Sequence, residues 1–152
     1  MKIITALCAS VLLAYVVITV SPVNGEEAIY SDMIRLHVLA DSDETNEQEL
    51  KLKVRDAVLE KVTELTNGIT DTEEALSVVE NNLEEISKVG KTVVENNGYD
   101  HNVTAEIGRE EYPEREYEGF RLPAGEYYSL RVKIGKAEGK NWWCVLFPPL
   151  CT

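Results

Sequence analysis

Histidine and cysteine are scarce in this chain. There are two His and three Cys in 152 residues, and Cys8 lies inside an apolar N-terminal run. No H-E-x-x-H, no G-x-S-x-G and no glycine-rich phosphate loop occurs. The common metalloprotease, serine hydrolase and nucleotide-binding signatures are therefore missing. Internal repeats and low-complexity tracts are absent as well, which argues against a solenoid or a disordered linker. Basic residues are in deficit: 15 Lys+Arg stand against 27 Asp+Glu, a formal charge of −12. A domain this acidic repels phosphate backbones, so nucleic acid is not an expected ligand.

What is present begins with an export pattern. Lys2 is a short positive region, Ile3 to Val20 is apolar and uncharged, and Ser21-Pro22-Val23-Asn24-Gly25 is small and turn-forming. That layout reads as a secretory signal peptide over 1–25. The apolar stretch also reaches the lower length of a membrane span, so a retained signal anchor stays open beside cleavage near Gly25. Residues 1–25 hold one base and no acid, which leaves 14 bases and 27 acids, a charge of −13, in the domain expected over 26–152. One domain of that length can bury a core without a metal. Outside the N-terminal run the two remaining cysteines, Cys144 and Cys151, suggest one disulfide in an exported protein, with free thiols as the alternative.

Periodicity supplies the elements. Met33 to Ala40 alternates, with Ile34, Leu36 and Val38 on one face and Arg35, His37 and Leu39 on the other. Leu50, Val54, Ala57, Val58, Val62 and Leu65 recur at helical spacing, up to a stop at Asn67-Gly68. Thr45 with Gln48 suits a capping box, Ser42 and Asp43 compete as caps, and Glu47–Lys51 and Glu49–Lys53 suit i,i+4 pairing. A second helix runs from a Thr70-x-x-Glu73 box through Leu76, Val79, Leu83, Ile86 and Val93 to Asn96-Asn97-Gly98, with Gly90 marking a close approach or a kink. From Tyr99 the period is two. Strands are expected over Val103–Ile107, Arg115–Leu122, Tyr128–Ile134 and Trp142–Phe147, the last central or covered and ended by Pro148-Pro149. The order β-α-α-β-β-β-β predicts an α+β two-layer sandwich, an antiparallel helix pair on a mostly antiparallel sheet.

With helices on one face, the other would carry Arg35, His37, Thr104, Glu106, Arg131 and Lys133 as a mixed-charge docking surface. Trp142 and Trp143 join the partner-binding candidates, because Trp is enriched at binding hot spots and at membrane interfaces. Proximity to a membrane surface is thus among the expectations. Catalytic signals are thin. His37 and Cys144 form a nucleophile–base pair only if the fold joins them. His37, His101, Cys144 and Cys151 have zinc chemistry without ligand spacing, so neither a metal nor a cofactor is expected. Asp41 and Asp43 make a D-x-D pair able to bind a divalent ion, but turn formation and helix capping account for it at a strand-to-helix junction.

Four segments carry a family resemblance. They are Ile34-Arg35-Leu36-His37-Val38-Leu39-Ala40-Asp41-Ser42-Asp43 with Leu50-Lys51-Leu52-Lys53-Val54-Arg55-Asp56-Ala57-Val58, then Leu122-Pro123-Ala124-Gly125-Glu126-Tyr127, then the tail Gly139-Lys140-Asn141-Trp142-Trp143-Cys144-Val145-Leu146-Phe147-Pro148-Pro149-Leu150-Cys151. Together they resemble the stage II sporulation protein R family of endospore-forming Firmicutes, from about Met33 to Cys151. Asp41 departs from the pattern, which leads one to expect Asn there. The resemblance implies a non-enzymatic signal, secreted from the forespore into the space between forespore and mother-cell membranes. There it would activate a membrane-embedded aspartic protease (stage II sporulation protein GA) that processes the sigma factor E precursor. The alternative from another class is a secreted hydrolase or thiol enzyme built on His37 and Cys144.

Overall fold

Strand β1, Ile34–Leu39, carries its alternation into space. Ile34, Leu36 and Val38 are fully buried against the helices, while Arg35 and His37 point to the opposite face. The computed structural model describes residues 33–117 and 120–151; the expected signal segment and the lead-in to Asp32 lie outside the described residues. Helix α1 spans Thr45–Leu65, α2 Thr72–Asn81 and α3 Leu83–Asn96. Strand β2 spans Val103–Tyr112, β3 Arg115–Tyr117, β4 Phe120–Leu122, β5 Gly125–Ile134 and β6 Asn141–Phe147.

The architecture is α+β, with helices packed on one face of a mostly antiparallel sheet. The main sheet runs β2-β5-β1-β6, with β1 parallel to β5 and the other pairings antiparallel. Its helix-facing side buries Leu36, Val38, Val103, Leu130, Val132, Ile134, Cys144 and Leu146 against Leu50, Val54, Val58 and Val62 of α1 and Ile86 and Val94 of α3. Each such side chain contributes roughly 1.5–3 kcal/mol of burial, so this layer dominates stability.

Several local expectations are corrected. The second helix is two helices, broken at Asn82, whose side-chain amide donates to the Val78 carbonyl at 2.7 Å. Adjacent Asn residues are weak helix formers that compete for backbone carbonyls. The break redirects the apolar stripe, so that Ala75, Val79, Ile86 and Val94 are the buried members. Asp71 rather than Thr70 caps α2, accepting the Glu74 amide at 2.9 Å. At α1 neither Ser42 nor Asp43 caps: the N-cap is Glu44, without a side-chain bond, and Gln48 donates to the Ser42 carbonyl. The Glu–Lys pairs of α1 do not form, because Lys51 donates to Gln48 and to the Lys140 carbonyl, and Lys53 to Asn97. The Arg115–Leu122 stretch is a small β3–β4 hairpin rather than one strand.

Strand β6 stands at the sheet edge and not at its centre. It is covered nonetheless: Cys144 and Leu146 face the core, and Val145, fully buried, faces the other side. A disulfide joins Cys144 to Cys151 and folds the tail back past a cis Phe147–Pro148 bond. The Asp pair after β1 holds the β5–β6 loop. Asp41 accepts the Lys136 amide and Asp43 the Lys140 amide, both at 2.7 Å. Gly135 permits this approach, since its φ is +57° and a Cβ there would overlap the Asp41 carboxylate.

Gly90 is a close-approach glycine and not a kink. A Cβ at this position would lie 2.8 Å from Val103 Cγ1 and 3.3 Å from Val54 Cγ1. Alanine gains about 1 kcal/mol of helix propensity, but overpacking stiff valines costs about 1–3 kcal/mol. Gly90→Ala should therefore lower stability by about 1 kcal/mol in urea denaturation; a raised midpoint would mean that Val103 gives way freely. Cys151→Ser should cost about 2–3 kcal/mol, the chain-entropy value for so short a loop. Equal stability of the oxidised and reduced protein would contradict that.

Candidate docking face

Register now places the outer-face residues. His37 is level with Arg131 and Trp143, Arg131 with Glu106, and Lys133 with Thr104. Arg35, His37, Thr104, Glu106, Arg131, Lys133 and Trp143 thus share the face away from the helices. Trp142, one residue on, lies on the helix side, where the Arg55 guanidinium stacks over its ring at 4.4 Å. The single surface expected from the sequence is therefore divided between two faces.

The outer face is covered at one end and open at the other. At the covered end Arg35 is 0% exposed. Its guanidinium stacks on Tyr112 at 4.0 Å and Tyr127 at 5.0 Å, and donates to the Tyr117 hydroxyl at 2.5 Å. No carboxylate among the described residues bonds to it, and Nε and Nη1 have no hydrogen-bond partner. A buried cation costs much unless compensated, and three aromatic rings are the compensation available here. Arg35 consequently organises the face from beneath and presents no surface of its own.

Beside it runs a directional hydrogen-bond chain. The Tyr112 hydroxyl meets Ser129 Oγ at 2.7 Å, Ser129 donates to Glu110 Oε2 at 2.7 Å, and His37 Nδ1 bonds Glu110 Oε1 at 2.8 Å. Burial pushes the Tyr112 phenol above the ordinary tyrosine range, so it stays a protonated donor. Ser129 and His37 both bond the carboxylate and not each other, so this is no nucleophile–base pair. Cys144 is disulfide-bonded and faces the core, on the opposite side of the sheet from His37.

The open end carries the accessible groups. Trp143 is half-buried, its ring 5.4 Å from His37, with the Arg115 guanidinium over it at 4.4 Å. Glu106 accepts from Arg131 at 3.0 Å and Lys133 at 2.6 Å. The hydrogen bond from Lys133 holds the Glu106 carboxyl below the usual carboxylate range. Sequence reading missed Glu110, Tyr112, Arg115, Tyr117, Tyr127 and Ser129. The legible signal was Tyr127 and Ser129 in phase with Arg131 on β5; that Ser129 is level with Arg35 on β1 shows only in the register.

Residues 30–152 match the family model described as Stage II sporulation protein R (spore_II_R). A curated relative, Stage II sporulation protein R of Bacillus subtilis (strain 168), is 38% identical over 128 residues, covering 84% of this chain. The chain spans 57% of that relative's own length. No solved structure matches.

Glu110 is the hub of the covered end. Glu110→Ala would leave His37 Nδ1 and Ser129 Oγ without their acceptor, a penalty of about 1–3 kcal/mol. Urea denaturation should show that loss, and Glu110→Gln, which keeps an acceptor oxygen, should lose less. Equal stability of Glu110→Ala and the unaltered chain would remove the hub role.

Proposed function

The chain belongs to the stage II sporulation protein R family, and from that membership we propose that it is an exported sporulation signal which activates a mother-cell membrane aspartic protease. In this reading it acts in the space between forespore and mother-cell membranes, close to a membrane surface. Its target is stage II sporulation protein GA, and the outcome is processing of the sigma factor E precursor. The observation that carries the reading is the family match, which runs through the whole described domain.

The geometry supports a binding role over chemistry. The residues an enzyme would need are committed elsewhere: His37 and Ser129 to Glu110, Cys144 to Cys151. An activator without chemistry works only through differential affinity for the active state of its target. A rigid surface serves that purpose, because little ordering entropy is then lost on docking. The outer sheet face supplies one, with Trp143, Arg115 and Arg131 at least partly accessible beside a buried frame of Arg35, His37, Tyr112 and Tyr127. An aromatic flanked by arginines is the composition of a hot spot.

Reconstitution tests this. Cells co-producing the protease and the sigma factor E precursor should process the precursor only when this chain is exported, as read by immunoblot. Trp143→Ala combined with Arg131→Glu should reduce processing by tenfold or more, on the order of 1.4 kcal/mol of docking energy. Lys88→Glu, exposed on α3 in the helix layer, should leave processing unchanged. No processing by a folded, exported chain beside a competent protease would overturn the reading. Full processing by the double variant would move the docking site off this face.

A further inference from the structure

At the C-terminal end of β1, two neighbouring segments and a third distant in sequence converge on one point. Asp41 follows β1, Glu47 lies in the first turn of α1, and His101 lies in the loop between α3 and β2. One ligand atom from each lies within 4.8 Å of the other two. His101 Nε2 is 3.0 Å from Glu47 Oε1, and His101 Nδ1 is 3.9 Å from Asp41 Oδ1.

Each group is held in place by something other than the cluster. The Lys136 amide donates to Asp41 Oδ1. Tyr99 stacks on the His101 ring at 5.4 Å, and Lys91 donates to the His101 carbonyl. The Glu47 side chain is 92% buried, and its second oxygen, Oε2, is shielded from solvent without any hydrogen-bond partner. A structural His–Glu hydrogen bond accounts for one oxygen of Glu47. It leaves the other desolvated and unsatisfied beside a second carboxylate, in a chain whose charge is already −12. Buried carboxylates of that kind are compensated by a cation or by donors.

We propose that Asp41, Glu47 and His101 bind a divalent metal ion of the zinc class. One imidazole nitrogen and two carboxylates are zinc ligands at about 2.0–2.2 Å, and three protein ligands plus water is a common zinc set. Calcium and magnesium need six or more oxygen ligands and take imidazole poorly. Ligand atoms around tetrahedral zinc stand about 3.3 Å apart, a spacing that Glu47 Oε1 and His101 Nε2 already approach; Asp41 faces the other ring nitrogen, so an ion held at Nε2 requires the Asp41 carboxylate to swing across to it within a cluster 4.8 Å wide. Asp41 and His101 retain partial exposure, 16% and 24% of their side chains, which leaves a side open for a water ligand. The metal ties the end of β1, the start of α1 and the loop before β2 into one junction. The site shares no residue with the docking face, and its assignment does not rest on the activator role.

The test uses the full chain, purified in detergent and stripped with a chelator. Equilibrium dialysis against zinc should show one equivalent bound, and cobalt should give the visible absorption of a low-symmetry four-coordinate site. His101→Gln and Glu47→Gln should each weaken zinc by at least about tenfold, whereas His37→Gln should not. The chain has only two histidines, so ring resonances report on the unaltered protein without relying on any variant's folding. Zinc should shift those of His101 and not those of His37. Zinc that leaves the His101 resonances unmoved, or that binds as tightly to a folded His101→Gln protein, would overturn the proposal.

Discussion

Burial of the Arg35 guanidinium constrains this fold more than any single apolar contact. A fully desolvated cation without a carboxylate beside it is tolerable only between π faces and hydroxyls. Tyr112, Tyr117 and Tyr127 supply them from three different strands. Strand β2 must therefore reach Tyr112, β5 must present Tyr127 in the outer phase, and the β3–β4 hairpin must cross the outer face. Arg35 is thus met by aromatic faces and a hydroxyl only where all three of these strands come together.

The same strand joins the two functional regions. Through its outer side chains β1 supports the covered end of the docking face; through its last turn it delivers Asp41 and Asp43 to the β5–β6 loop. That loop is pinned by two backbone amides to two carboxylates. The side chain of Lys51 reinforces it by donating to the Lys140 carbonyl, although burial lowers the affinity of Lys51 for its proton. Position of the loop in turn fixes where β6 begins, and so where Trp143 lies. Docking face and metal-ligand cluster are consequently coupled to one structural element without sharing a residue.

Much of the local structure is legible in the residue pattern. The phase of β1, the buried stripe of α1 and the phase of β5 follow from periods of 2 and 3.6, which depend only on near neighbours. The break at Asn82 was missed because Leu83 and Ile86 continue a plausible helical stripe across it, and only the competition of the Asn side chain for a backbone carbonyl interrupts the helix. Of the two places expected for β6, central or covered, the covered one holds. A strand apolar on both faces fits either, and here β6 stands at the edge with Arg115 of the hairpin over Trp143.

By itself, then, the sequence determined the fold class, the face on which Arg35, His37 and Arg131 lie, the pairing available to Cys144 and Cys151, and the family resemblance. Each of these is written in residues close together along the chain or in their type. Tertiary structure alone decided that Arg35 is buried while Arg131 is partly accessible, that it is Trp143 and not Trp142 that lies level with His37 on the outer face, and that Glu110 rather than Cys144 meets His37. It also decided that Asp41, Glu47 and His101 converge. Those contacts join residues six to more than seventy positions apart. They depend on strand order, on register and on which element covers which face, none of which a local period encodes.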